Sequence, residues 1–356
     1  MSKNVISLLL FFSMLIGVIS SAFAVTIESE EIRLGINGYI NGHYTYMGKM
    51  AMSETETVPD SSTFGTAAHL LFNAVKNKLR VNLNLDFDNG AFARGLESDD
   101  EVIGALGIME TFGEYTVSEP FQVRIGNFLT PFGIYNQIRY ITPLFAPVVL
   151  PMMYSPPENY KGKPLIPANV NLMLFGRYST DITSIDYYLY GGNGEVNNFG
   201  NDKNKDKGLG GRVKLTLPYK LKIGGSYYTV KDDPDTEGRE GLYGIDFDIT
   251  VRDLNLQSEY AKDDAEEHED RSAYYTRLTY SIGKFAPFVG YDYLKDKGDT
   301  LFDHGMHRYS VGTGYTVNNY ITLKGEYHYH RIDDKEGLMD VPDDIQMFRT
   351  AAIFIF

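Results

Sequence analysis

The sequence predicts an all-β chain folded as a transmembrane antiparallel β-barrel of about sixteen strands. Three observations predict it. Apolar and polar residues alternate with period 2 almost throughout, with no sustained helical stripe. The connections between alternating segments are short and long in turn, as in barrels whose turns lie at one rim and whose loops lie at the other. After the first two dozen residues, no apolar run is long enough for a membrane helix, so a membrane could be crossed only by strands closed on themselves.

The amino-terminal stretch stands apart. Lys3 precedes a largely apolar run from Val5 to Ile19, and Ala22-Phe23-Ala24 follows as a small-x-small cleavage site. Residues 1–24 are therefore expected to be a secretory signal peptide, with a mature single barrel domain over 25–356 beginning at Val25. The chain has no cysteine, which removes disulfides and thiolate chemistry in an oxidising compartment. It has no tryptophan but 27 tyrosines and 21 phenylalanines, rings suited to the two membrane interfaces. A formal charge of −14 disfavours nucleic acid as a partner, because phosphates must be neutralised by cations.

The first strand shows the alternation best: Ile32, Leu34, Ile36, Gly38, Ile40, Gly42, Tyr44 and Tyr46 on one face, Arg33, Gly35, Asn37, Tyr39, Asn41, His43 and Thr45 on the other. Leu79 to Phe87 and Ile321 to Tyr329 repeat it. Sixteen strands are predicted, at about 32–47, 66–75, 78–88, 103–116, 120–130, 170–178, 184–192, 207–217, 220–231, 241–252, 253–262, 271–282, 284–295, 306–317, 319–331 and 345–356. Tight links fall near Lys76-Asn77, Ser118-Glu119, Pro218-Tyr219, Arg252-Asp253, Gly283 and Asn318-Asn319. Long polar loops lie between them.

One segment breaks the pattern. From Pro131 to Ala168 the chain holds eight of its fourteen prolines, which strip ladder donors and exclude regular strands. Long structureless loops are usually functional. This one is also apolar, with Leu144, Phe145, Val148, Val149, Leu150, Met152 and Met153, so it is expected to be buried within the lumen. Tyr135, Arg139 and Lys161 are the polar residues expected to face the passage.

The run Arg124-Ile125-Gly126-Asn127-Phe128-Leu129-Thr130-Pro131-Phe132-Gly133 resembles the R-x-G-x-F-x-T-P-F-G segment of sixteen-stranded bacterial outer-membrane porins and of the phosphate-selective porin O/P-like group. The terminal Phe356, with Phe354, Ala352 and Phe348 on its face, resembles the signal read by the barrel-assembly machinery of outer membranes. These resemblances imply an inward-folded third loop that narrows a pore, passage of small polar solutes or ions, an outer-membrane lipid and lipopolysaccharide environment, and a homotrimer. A plug with no role in selectivity, in a structural, adhesive or gated barrel, is the alternative reading of the same loop.

Strand faces place Arg33, Arg80, Arg124, Arg177, Arg212, Lys222, Arg308 and Lys324 toward the lumen, together with Lys78, Lys214, Arg252, Arg277 and Arg349. Fewer acids are expected there: Asp86, Asp186, Asp246, Asp248, Glu259, Asp292 and Glu326. A lumen richer in cations would favour anions mildly; alternatively these arginines pair with the carboxylates and brace the wall. Much of the remaining acid lies in loops, at 232–235, 263–267 and 343–344, as a solvated rim or as ligands for divalent cations.

No cofactor or metal is called for, and no enzyme is expected. There is no G-x-S-x-G elbow or phosphate loop. Ser281-Ile282-Gly283-Lys284 matches S-x-x-K but spans a predicted turn. His328 and His330 share a strand face without an adjacent third ligand, which suits lumen lining better than metal binding.

Overall fold

The computed structural model describes residues 25–28, 32–51, 57–88, 105–145, 147–155, 165–166, 169–193, 206–231, 239–264, 271–296, 305–333 and 344–356. The expected signal peptide, Lys161 and most of the acidic loops lie outside these residues. No described helix is long and apolar enough to cross a membrane.

Sixteen long strands form one closed sheet: β1 (Arg33–Met47), β2 (Ser61–Lys76), β3 (Leu79–Asp88), β4 (Ala105–Ser118), β5 (Phe121–Leu129), β6 (Asn169–Ser179), β7 (Ser184–Gly192), β8 (Gly208–Leu217), β9 (Leu221–Val230), β10 (Glu240–Val251), β11 (Leu254–Asp264), β12 (Arg271–Tyr280), β13 (Phe285–Asp296), β14 (Met306–Asn318), β15 (Ile321–Ile332) and β16 (Asp344–Ile355). Each pairs antiparallel with its neighbours in sequence, and β16 returns to β1 in the register Phe354↔Ile40. A short strand, Val25–Glu28, pairs with the start of β1. Closure satisfies the ladder groups that an open edge would expose to lipid.

All sixteen expected strands are present. The second is longer than its apolar pattern suggested, starting at Ser61 rather than near 66, because backbone pairing with β1 continues to Ser61↔Met47 beyond the apolar stretch. The tight links use left-handed residues, among them Asn77, Tyr219, Arg252 and Gly283, whose backbone matches the twist of a hairpin.

The outer surface is a belt of exposed apolar side chains such as Leu34, Ile40, Leu106, Ile125, Leu189, Ile245 and Val289, as lipid contact requires. The buried core lies on the inside. Phe128, Phe132, Met152, Met153, Tyr154 and Ile166 pack against Tyr190, Tyr228, Leu242, Tyr275, Leu294 and Met306 of the wall. The chain between β5 and β6 therefore supplies seven of the twenty-one buried residues of this core among the described residues.

Candidate functional site

The chain leaves the regular ladder inside β5. The ladder to β6 breaks between Ile125 and Phe128, a bulge that changes which face the following side chains occupy. Gly126 makes it, at φ +139°, where an added Cβ would lie 2.2 Å from the Thr111 carbonyl oxygen. Ile125 is exposed on the outer face, whereas Asn127, Phe128 and Leu129 are all buried. Phe128 meets Phe112 edge-on with centroids 5.9 Å apart, and the Arg124 guanidinium lies 4.2 Å from the Phe112 centroid. Gly133, at φ +64°, then passes so close to β11 that a Cβ would overlap the Glu259 carboxylate. The glycines of the motif are thus sites of strained backbone and of close approach.

From there the loop is bonded to the wall, mainly through its main chain. The Ile134 amide donates to Glu259 at 3.1 Å, and the Tyr154 hydroxyl donates to the same carboxylate. The Met152 amide donates to Asp292 at 3.1 Å, and those of Val148 and Val149 donate to Glu326. Wall cations take the carbonyls: Arg308 donates to Leu150 at 2.8 Å, and Lys324 to Phe145. Arg308 also holds Asp292 at 2.9 Å. Within the loop a 3-10 stretch, Asn136–Leu144, is anchored by Asn136 donating to the Thr130 carbonyl at 2.8 Å.

Of the loop residues expected to face the passage, Tyr135 is buried. It donates to Gln257 at 2.6 Å and accepts from Arg277 at 2.9 Å. Arg139 is half-buried; it donates to Asn136 and to the Tyr154 carbonyl, and burial lowers its pKa. Neighbouring Tyr140 is pushed up to about 12 by burial, so its hydroxyl stays protonated at physiological pH.

The expected lumen cations fall into two groups. Arg212, Arg308 and Lys324 are buried; Arg212 forms a two-pronged pair with Asp246, at 2.5 and 2.9 Å. Arg80, Arg177 and Lys222 reach solvent. Their side chains are 43%, 50% and 45% exposed, whereas their partners Glu114, Asp186 and Asp248 are only 8%, 4% and 13% exposed. Arg124 lies between, bonded to Glu114 at 2.6 Å. Arg33 is exposed at the turn end of β1.

Glu110 and Glu114 were not among the expected lumen acids. The β3–β4 ladder skips Met109 between Ile108 and Glu110, so the inward face changes parity and Glu110, Phe112 and Glu114 all point in. The signal in the sequence was the interrupted alternation at Ile108-Met109-Glu110. His328, expected to line the lumen, bonds Ser310 at 2.8 Å and Glu326 at 3.1 Å. Among the described residues no group of three His, Cys, Asp or Glu could hold a metal.

Two cavities flank the 3-10 stretch, both toward the turn end. One, of about 350 Å³, is lined by Tyr135, Gln137, Lys214, Lys222 and Asp248. The other, of about 330 Å³, is lined by His69, Arg80, Asn84, Glu110, Gln137 and Tyr140.

The barrel is similar to the anion-selective porin of Comamonas acidovorans, with a TM-score of 0.65 at 12% identity over 92% of this chain and 100% of that one. It is similar to the outer-membrane channel DcaP of Acinetobacter baumannii, with a TM-score of 0.62 at 12% identity over 93% and 99%. It is also similar to Salmonella typhi OmpF, with a TM-score of 0.62 at 14% identity over 93% and 100%. Among curated proteins none matches. The sequence profile of the Gram-negative porins matches residues 88–335, well over half of the chain. The chain therefore belongs to the Gram-negative porin family: it is a channel of the outer membrane, built for passive diffusion.

Proposed function

We propose that this porin passes small polar solutes and ions through a bore narrowed by its third loop, with a mild preference for anions. The observation that carries the preference is the asymmetry of the ion pairs: at Arg80, Arg177 and Lys222 the cation is the exposed member and the carboxylate the buried one. Solutes in the lumen meet the positive end of each pair first, and exposed charge sets the local counter-ion concentration. One similar barrel is itself anion-selective, although at such low identity the likeness carries the fold alone. The loop's narrowing role is supported by its bonds to wall residues of β11, β13 and β15.

Single-channel conductance in planar bilayers under a salt gradient tests this. Stable steps with a reversal potential of anion sign are expected; a reversal potential of cation sign overturns the preference. A silent but folded barrel would favour the second reading, a plug, which the burial of Met152, Met153 and Ile166 supports. A homotrimer, contact with lipopolysaccharide and delivery by the barrel-assembly machinery complete the proposal, with chemical cross-linking of the purified protein as the check on the trimer.

A further inference from the structure

Four buried polar atoms without a hydrogen-bond partner in the protein, among the described residues, belong to three side chains of one cavity. They are both ring nitrogens of His69, Oδ1 of Asn84 and Nε of Arg80, and all three residues line the 330 Å³ cavity beside the 3-10 stretch. His69 and Asn84 are each more than nine-tenths buried. Unpartnered buried polar groups are costly and uncommon, and several around one cavity mark a place where something else completes the bonding.

The chemistry of the lining narrows the ligand. His69 is stacked between Tyr39 and Tyr140, at 5.6 and 6.3 Å, which orients its ring edge. Its Nδ1 lies 3.6 Å from Asp86, beyond hydrogen-bond distance. A neutral imidazole offers one donor and one acceptor, Arg80 Nε a donor and Asn84 Oδ1 an acceptor. Donors and acceptors are therefore balanced.

Charge is balanced too. Arg80 and Arg124 both bond Glu114, and Glu110 is held by Asn84 at 2.6 Å and by the Leu129 amide at 2.9 Å. Two guanidiniums face two carboxylates, which leaves no counter-charge for an ionic ligand. Hydroxyl groups, each able to donate and accept, fit such a set; a carboxylate or an ammonium would not. Asn82 and Gln137 add planar polar groups, and the Phe112 ring with Leu71, Leu129, Ile138 and Ile141 gives the cavity an apolar side against which the C–H face of a ring can lie.

We infer that this cavity is a binding subsite for a neutral polyhydroxylated solute of monosaccharide size. The volume lies at the small end of the range for small-molecule sites. The inference rests on the proposed passage of polar solutes and names the class that lingers there. Ions meet the exposed side chains of Arg80, Arg177 and Lys222, whereas the pocket, to which Arg80 contributes its buried Nε, selects against net charge.

Titration calorimetry of the detergent-solubilised full-length barrel with glucose, and with sodium glucuronate as the charged counterpart, reads the site whether or not the channel conducts. Glucose is expected to bind in the millimolar range, glucuronate about tenfold more weakly. His69→Phe keeps the stack but removes both nitrogens, and Arg80→Lys keeps the charge but removes Nε. Each is expected to weaken glucose binding by about tenfold or more. Absence of glucose binding, equal binding of glucuronate, or unchanged binding in Arg80→Lys would overturn the inference. A barrel that conducts without binding glucose fails the subsite alone, and one that binds glucose without conducting fails the channel reading alone.

Discussion

The wall formed by β3–β5 and the wall formed by β11–β15 carry the same kinds of inward-facing residue and use them differently. On β11–β15, Glu259, Asp292 and Glu326 accept main-chain amides of the loop, while Arg308 and Lys324 donate to its carbonyls. On β3–β5, Arg80 and Arg124 bond Glu114 in the wall itself, and the Arg80 side chain remains 43% exposed. An inward charge therefore acts as a brace for the loop or as part of the passage according to whether main chain lies against it. Its residue type does not decide.

The sharpest test of this contrast is Arg308→Leu, which leaves Asp292 buried without its cation. Breaking a buried pair by removing one partner costs roughly 3–5 kcal/mol, and denaturant unfolding of the refolded variant in micelles should show a loss of that order. Conductance should rise as the loop loosens.

Gly126→Ala comes next. Forcing a Cβ against the Thr111 carbonyl at φ +139° should cost about 1–3 kcal/mol, read as a lower refolding yield and midpoint. Glu326→Gln should cost a similar or smaller amount, about 1–3 kcal/mol, since the amide keeps one acceptor for Val148 and Val149. Its expected signature is noisier open-channel current.

The smallest stability effect belongs to Arg80→Gln, whose side chain is 43% exposed. Solvent screening limits its pair to less than about 1 kcal/mol, but the reversal potential should move toward zero. If Arg80→Gln unfolded the barrel as readily as Arg308→Leu, the division between bracing and passage would collapse.

Much of the barrel was legible because period 2 is a local property: each lipid-facing Leu or Val tells its neighbour where to point, as at Leu79 to Phe87. The two faces of a strand were legible wherever the ladder runs without interruption, as around Val213, Ile223, Tyr309 and Tyr327, which are exposed on the outer side. They were not legible at Met109, where a skipped residue flips parity and turns Glu110 and Glu114 inward. An isolated glycine in a strand can signal a bulge, and Gly126 is one. The bracing of the loop lay further out of reach, since Ile134 and its acceptor Glu259 are 125 residues apart. Nothing near either residue encodes the other.

Because the wall grips amide and carbonyl groups, the side chains between Phe145 and Met152 are largely spared from holding the loop in place. Those side chains answer to packing alone, as Val148 and Leu150 do among apolar neighbours, while Asp292, Arg308, Lys324 and Glu326 keep the segment seated.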